Sequence, residues 1–290
     1  MAERGLAIDP RVARRRFERA ARTYAGTSRL EAEIGVRMLQ RLDYVKLAPA
    51  RILDAGSGPA REARALCARY PGSRLIALDF SHAMLRQALA ARGLLSRLFG
   101  HRSLSPVCAG LEALPLADAS IGLLWSNMVL HWLGEPLAAL KEFHRVLRTE
   151  GLLMFSALGP DTLQELREAA GGARVHRFMD MHDLGDQLVA AGFSAPVMDM
   201  EIVTLTYDNA DAFLADLRAS GQSSALASRP RGLAGRAFRE QLRRGLAMRM
   251  RDARLPATYE VVYGHAWKAA PRSRGGETLV HFDLSGHKRN

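Results

Sequence analysis

The chain of 290 residues has little cysteine, little lysine and no long hydrophobic run. Its two cysteines, Cys67 and Cys108, are too few for a disulfide framework or a four-ligand zinc site. No apolar run approaches the roughly 20 residues that a membrane-spanning helix needs. The nine histidines show no spacing typical of a metal site. These absences predict a soluble protein of a reducing compartment that binds no metal.

Positive charge, by contrast, is abundant. The chain has 41 Lys and Arg residues against 30 Asp and Glu residues, and its formal net charge is +11. Such a charge favours an acidic partner, which could be nucleic acid, an anionic membrane surface or an acidic protein. A compositional bias toward arginine would produce the same charge without any partner, so the sequence leaves both interpretations open.

The N-terminal segment contains seven arginines between Arg4 and Arg22, as a mitochondrial transit peptide would. Acidic residues are interspersed among them, however, and no apolar segment suited to secretion follows. We therefore expect a cytoplasmic protein.

Hydrophobic periodicity divides the chain into an N-terminal helical arm over residues 1–45, an α/β domain over 46–270 and a flexible tail over 271–290. Insertions at about 159–180 and 221–255 are candidates for lids. Within the domain, short apolar runs alternate with helical segments, a rhythm that predicts a doubly wound, mostly parallel sheet. The predicted strands are 51–55, 74–79, 105–108, 121–126, 152–157, 197–205 and 258–267.

A glycine turn follows the first predicted strand, in the order Asp54, Gly56, Gly58. Glycines there allow tight backbone dihedrals and close approach of a ligand, because ligands of open α/β sheets bind at the carboxyl ends of the strands. Asp79 ends the next strand, where an acidic residue can accept ribose hydroxyls. The turn therefore predicts a site for a nucleoside-containing cofactor.

A dinucleotide fits this turn poorly. Arg61 stands where the dinucleotide pattern has its third glycine, and Asp54 would lie close to a pyrophosphate. S-adenosylmethionine carries an ammonium and a sulfonium beside its ribose and adenine, and it has no phosphate. The two acids therefore favour S-adenosylmethionine, although a glycine turn that serves packing alone remains open.

The stretch from Ile52 to Gly151 resembles the class I S-adenosylmethionine-dependent methyltransferases. The resemblance implies a seven-stranded Rossmann-like sheet whose last strand is 260–267. It also implies cofactor contacts at the glycine loop, at the ribose acid and in the turn after the third strand. The implied cofactor residues are Asp54, Gly56, Gly58, Asp79, Phe80, Leu111, Glu112 and Ser126.

A narrower resemblance covers almost the full length. Phe17 and Tyr24 in the arm, the run Gly159-Pro160-Asp161-Thr162-Leu163 and the segment 258–267 are similar to the malonyl-[acyl-carrier-protein] O-methyltransferase (BioC) family of biotin biosynthesis. The resemblance implies methyl transfer to the free carboxyl of malonyl-acyl carrier protein, which opens pimelate synthesis. An acidic carrier protein would suit the arginines 14–16, 229, 231, 236, 239, 243 and 244.

Four positions depart from the family pattern. Ala60 replaces a glycine of the loop, Gly110 an acid beside the adenine, Gly122 an acid at the start of the fourth strand, and Glu31 a glutamine of the arm. Together these departures predict weaker cofactor binding.

The malonyl carboxylate is ionised at neutral pH, so its methylation needs no general base. The reaction depends on approach and alignment, and an arginine could pair with the carboxylate. We predict that Tyr24 orients this group, while packing of its ring against the core is the alternative interpretation. His131 and Trp132 follow the fourth strand, where they could shape the acceptor pocket, and a capped turn with a buried tryptophan is the alternative interpretation.

Two other functions remain open. The protein could methylate another small-molecule, protein or RNA acceptor, although it shows no RNA-binding motif and nucleic acid is the less favoured partner. Alternatively, it could be an assembly or binding protein with weak or no catalysis, since relatives that assist respiratory-complex assembly share Leu130-His131-Trp132. The oligomeric state is not predicted.

Overall fold

The computed structural model describes residues 8–90, 104–229, 232 and 235–270. Seven strands form one sheet in the order β3-β2-β1-β4-β5-β7-β6, and only β7 runs antiparallel to its neighbours. This topology confirms the predicted doubly wound, mostly parallel sheet. The strands are β1 (Arg51–Ala55), β2 (Arg74–Asp79), β3 (Leu104–Cys108), β4 (Ile121–Ser126), β5 (Leu147–Leu158), β6 (Ser194–Tyr207) and β7 (Leu255–Trp267).

Helices cover both faces of the sheet. The described helices are α1 (Pro10–Ala20), α2 (Tyr24–Thr27), α3 (Arg29–Arg41), α4 (Ala63–Arg69), α5 (His82–Ala90), α6 (Pro136–Val146), α7 (Gln164–Ala170), α8 (Met181–Ala190), α9 (Ala210–Ala219) and α10 (Arg236–Ala247). None of the helices in these ranges is long and apolar enough to cross a membrane. The predicted tail 271–290 lies outside the described residues.

The central strand β4 is buried at every position because each of its faces packs against a separate hydrophobic cluster. Leu123 and Trp125 belong to the cluster that contains Ile34 of α3, whereas Leu124 belongs to the cluster that contains Phe143 of α6. Burial on both faces explains why the central strands are continuous hydrophobic runs without alternation.

Two runs that carry the narrower resemblance contact each other. The Glu260 carboxylate of β7 accepts the Asp161 N–H at 2.8 Å, and the Glu165 carboxylate accepts both the N–H and the hydroxyl of Thr258. A side chain at position 159 would meet Glu260, so only glycine fits there. The segment after β5 is thus fastened to β7, and this part of the predicted lid at 159–180 has a structural role in the fold.

Candidate active site

A cavity of about 390 Å³ lies at the carboxyl ends of β1, β2 and β4, and the helices of the arm contribute part of its wall. This is the edge of the sheet where the sequence predicts the cofactor. Eight of the predicted site residues line it: Tyr24, Gly56, Gly58, Asp79, Phe80, Leu111, Glu112 and Trp132. Asp54, Ser126 and His131 do not line it.

The glycine loop is built for a tight turn. Gly56 and Gly58 have φ of +78° and +52°, which side-chain-bearing residues rarely adopt. A Cβ at Gly56 would lie 2.5 Å from a methyl group of Val129, whereas a Cβ at Gly58 would meet nothing closer than Tyr24 at 3.8 Å. Gly56 is therefore required by packing as well as by backbone conformation.

Asp79 connects the loop to the end of β2. Its carboxylate accepts the Gly58 N–H at 2.9 Å and the Ser81 N–H at 2.7 Å. Burial raises the pKa of Asp79 to about 6, and these two N–H groups oppose the shift. At neutral pH the group is mostly ionised, so it can accept hydrogen bonds from ribose hydroxyls.

Asp54 lies within β1, two residues before Gly56 of the cavity lining, and is only 2% exposed. Its Oδ2 atom has no hydrogen-bond partner among the described residues. Burial, together with the nearby carboxyls of Glu62 and Asp79, raises the pKa of Asp54 well above its usual range. A buried carboxyl without a partner is costly, and a ligand with cationic or N–H groups would relieve that cost.

Ser126 and His131 have structural partners outside the cavity. The Ser126 hydroxyl donates to the Ala55 carbonyl at 3.1 Å and so joins β4 to β1. The His131 Nδ1 accepts the Leu158 N–H at 3.3 Å, and burial lowers the pKa of this histidine to about 3. Because residues 130–132 form a 3₁₀ turn, His131 and Trp132 point in different directions, and only Trp132 reaches the cavity. The site roles assigned to Ser126 and His131 stay predictions.

Aromatic rings form one wall of the cavity around Phe17 of α1. Its ring centroid lies 4.9 Å from that of Trp132, 6.0 Å from that of Phe80 and 6.3 Å from that of Tyr24. Edge contacts of this kind favour a fixed arrangement of the rings. The arm is therefore packed onto the cavity through the same residues that line it.

Arg61 also holds the arm in place. Its guanidinium donates to the Ser28 carbonyl at 2.9 Å, to the Ser28 hydroxyl at 2.6 Å and to the Ala25 carbonyl at 3.2 Å. Arg61, which stands where a dinucleotide pattern has its third glycine, thus fixes the junction of α2 and α3 beside the glycine loop.

The sequence did not predict that Arg11, Arg14 and Glu31 belong to the cavity wall. Arg11 and Arg14 carry the positive charges among the described lining residues, and Glu31 adds a carboxylate from α3. The spacing of Arg11, Arg14 and Phe17 places all three on one face of α1, and this is the signal that could have revealed the two arginines.

The turn after β4 supplies further lining. Met128 has φ of +58° and is held there because its N–H donates to the Ser156 carbonyl and hydroxyl. The Asn127 side chain donates to the Glu31 carbonyl at 2.9 Å and accepts the Ser156 hydroxyl at 2.8 Å. These bonds connect the turn to α3 and to β5.

Three of the positions that depart from the family pattern have different surroundings in the structure. Gly110 lines the cavity, and the Glu112 carboxylate lies 3.2 Å from where its Cβ would stand, so an acidic group remains beside that position. Gly122 is outside the lining, and a side chain there would meet Pro49 at 3.0 Å. Ala60 keeps a φ of +55°, which costs about 1 kcal/mol in a non-glycine residue.

These features fit S-adenosylmethionine. A Cβ at Gly58 would meet nothing closer than 3.8 Å, so a ligand can approach the loop there, and Asp79 offers a carboxylate to the ribose. One buried oxygen atom of Asp54 and one of Glu31 lack partners among the described residues. Within the same ranges, no three metal-binding side chains come together.

Comparisons with known proteins agree with this site. A family model described as a methyltransferase domain matches residues 53–155. The chain is 49% identical over 278 residues to a malonyl-[acyl-carrier protein] O-methyltransferase of Gallionella capsiferriformans, covering 94% of this chain and 96% of the relative. It is 51% identical over 269 residues to the protein of that name from Methylovorus sp., covering 91% of each.

The fold is shared more widely. A solved structure of a candidate methyltransferase from Bacillus halodurans C-125 superposes with a TM-score of 0.59 at 16% identity, over 80% of this chain and 97% of that one. At that identity the likeness concerns the fold alone. The near-full-length identity to the curated relatives is what shows that this chain belongs to the malonyl-[acyl-carrier protein] O-methyltransferase family, within the class I methyltransferases.

Proposed function

We propose that this protein transfers a methyl group from S-adenosylmethionine to the free carboxyl of malonyl-acyl carrier protein, an early step of biotin synthesis. Family membership over nearly the whole chain supports the reaction. The observation that carries the proposal in the structure is the composition of the cavity. One carboxyl oxygen of Glu31, in the cavity lining, has no hydrogen-bond partner among the described residues and suits a cationic donor, and Arg11 and Arg14 contribute to the same lining.

At one end of the cavity, the donor end, residues of the chain bind and orient S-adenosylmethionine. Asp79 accepts ribose hydroxyls, and Leu111 and Glu112 lie where the adenine is expected. Asp54 lies behind the glycine loop, where a bound cationic donor would favour the ionised form of its carboxyl. When bound, S-adenosylmethionine supplies an electrophilic methyl group attached to a sulfonium.

At the acceptor end, Arg11 and Arg14 pair with the malonyl carboxylate and neutralise its charge. Burial and the carboxyls of Glu31 and Glu62 raise the pKa of Tyr24 well above its usual range. Its hydroxyl therefore stays protonated and acts as a hydrogen-bond donor that orients the carboxylate, not as a base. Trp132 and Phe17 exclude water from the region between the two ends.

The partner in this reaction is an acidic carrier protein. The arginines that the sequence predicts for its docking include Arg236 and Arg243 of α10. Arg236 is 94% exposed and pairs with Glu240, and Arg243 pairs with Asp211. Exposed pairs of this kind are weak, so these arginines can still steer an acidic protein. Arg231 lies outside the described residues. A cytoplasmic location stays a prediction of the sequence.

The proposal is tested with malonyl-acyl carrier protein and acetyl-acyl carrier protein as alternative acceptors, in the presence of S-adenosylmethionine. We expect mass spectrometry to show one added methyl group on the malonyl form and none on the acetyl form, which lacks a free carboxyl. Normal binding of S-adenosylhomocysteine without methylation of the malonyl form would refute the acceptor and favour a binding protein.

A further inference from the structure

Glu31 of α3 is a buried carboxyl to which the proposed reaction assigns no particular group of the ligand. It lines the cavity and is only 8% exposed. Its Oε1 atom accepts a hydrogen bond from the side-chain amide of Gln222. Its Oε2 atom is buried and has no hydrogen-bond partner among the described residues. One oxygen is therefore held by the protein, and the other is left for a ligand.

The surroundings of Glu31 favour a cationic ligand. Arg61 is a positively charged group that faces it, but that guanidinium already donates to Ser28 and Ala25. The other titratable groups that face Glu31 are Asp216 of α9, Tyr24 of α2, Tyr207 of β6 and Tyr259 of β7. Acids and phenols thus dominate, and an anionic ligand would be repelled.

Gln222 belongs to a segment, residues 219–226, that crosses the arm; we call it the strap. The Thr23 hydroxyl donates to a strap carbonyl at 2.7 Å, and the Asp9 N–H donates to another at 2.8 Å. The strap therefore holds α1 and α2 at its two ends, and Gln222 reaches Glu31 between them. Gln222 sets the orientation of the Glu31 carboxylate.

We propose that the Oε2 atom of Glu31 accepts the ammonium group of S-adenosylmethionine, with Gln222 as the positioning residue. The inference rests on the proposed function and adds a second carboxylate to Asp54 at the donor end. The sulfonium has no N–H to donate, whereas an ammonium can satisfy a buried oxygen directly.

Binding of an ammonium group to Glu31 should release a proton from its carboxyl. Burial raises the pKa of Glu31 to about 7 in the free protein, so the group is partly protonated near neutral pH. A bound ammonium favours the carboxylate, so binding displaces the proton. Affinity should therefore rise as the pH increases from 6 to 8, and proton release should be largest at the acid end of that range.

The test is calorimetric titration with S-adenosylhomocysteine, which carries the same ammonium group. Titrations at pH 6.5 and pH 8, each in two buffers of different ionisation enthalpy, measure the number of protons released. Glu31→Gln should lose most of the release at pH 6.5 and bind roughly 10-fold more weakly at pH 8, because a hydrogen bond to a carboxylate is about twice as strong as a neutral one. Asp79 also titrates near pH 6, so the difference between the two proteins isolates the share of Glu31.

Two further variants complete the experiment. Glu33→Gln removes an exposed carboxylate of the same helix, one that pairs with Arg37, and should bind like the parent protein. Gln222→Ala should keep the proton release but bind several-fold more weakly, since the carboxylate loses its support.

The outcomes separate the two proposals. If the parent protein does not bind S-adenosylhomocysteine, the proposed function fails. If it binds, and Glu31→Gln matches it in affinity and in proton release, the assignment of Glu31 is overturned while the function stands. Unchanged affinity in Gln222→Ala would remove the positioning role.

Discussion

Replacing Gly56 with alanine should lower the free energy of unfolding by about 2–5 kcal/mol. Two effects contribute. The φ of +78° costs a side-chain-bearing residue about 1–2 kcal/mol, and a Cβ placed 2.5 Å from a methyl group of Val129 adds about 1–3 kcal/mol of overpacking. Gly58→Ala is the matched control, because it has the backbone cost without a close contact and should lose only about 1–2 kcal/mol.

The two effects separate in a double-mutant cycle. Val129→Ala removes the crowded methyl groups, so Gly56→Ala should be less costly in that background by about 1–3 kcal/mol. Urea denaturation of the four proteins, without ligand, measures the free energies. The reasoning is refuted if Gly56→Ala is no more destabilising than Gly58→Ala, or if the effects of the Gly56 and Val129 substitutions are additive.

Four further substitutions test the site. Tyr24→Phe should reduce turnover roughly 10-fold or more while S-adenosylhomocysteine affinity, measured by calorimetry, changes little, because the lost hydroxyl orients the acceptor. Arg11→Gln and Arg14→Gln should raise the KM for malonyl-acyl carrier protein by about 3–10-fold at low salt, whereas Arg22→Gln, outside the cavity lining, should not. Asp79→Asn should flatten the pH dependence of stability. The native pKa of about 6 exceeds the unfolded value of about 3.9, so ionisation of Asp79 lowers the free energy of unfolding by up to roughly 3 kcal/mol as the pH rises from 4 to 6. Urea midpoints of both proteins at pH 4 and pH 6 measure the difference.

Local patterns predicted the framework of this site. Asp54 and Asp79 lie at the carboxyl ends of β1 and β2, and Gly56 and Gly58 follow β1. The carboxyl ends of neighbouring parallel strands share one edge of the sheet. Their proximity therefore follows from the sequence alone. The role of Gly56 could not be inferred in full, because its crowding partner, Val129, comes from a distant turn.

Adjacent residues show the limit of such inference. The sequence predicts that His131 and Trp132 together shape the acceptor pocket. Only Trp132 of the two lines the cavity, and the His131 ring accepts a hydrogen bond from the Leu158 N–H. A short 3₁₀ turn sends neighbouring side chains in different directions, and no periodicity in three residues reveals which one faces inward.

By itself, the sequence determined the doubly wound sheet, the glycine loop and the donor class, because strand–helix alternation and turn chemistry are local properties of the chain. Only the tertiary structure decided the rest of the cavity wall. Arg11 and Glu31 reach the cavity because Arg61 and the strap fasten the arm beside the loop. Contacts between segments so far apart in the chain depend on how the whole core packs, and no short stretch of sequence encodes them.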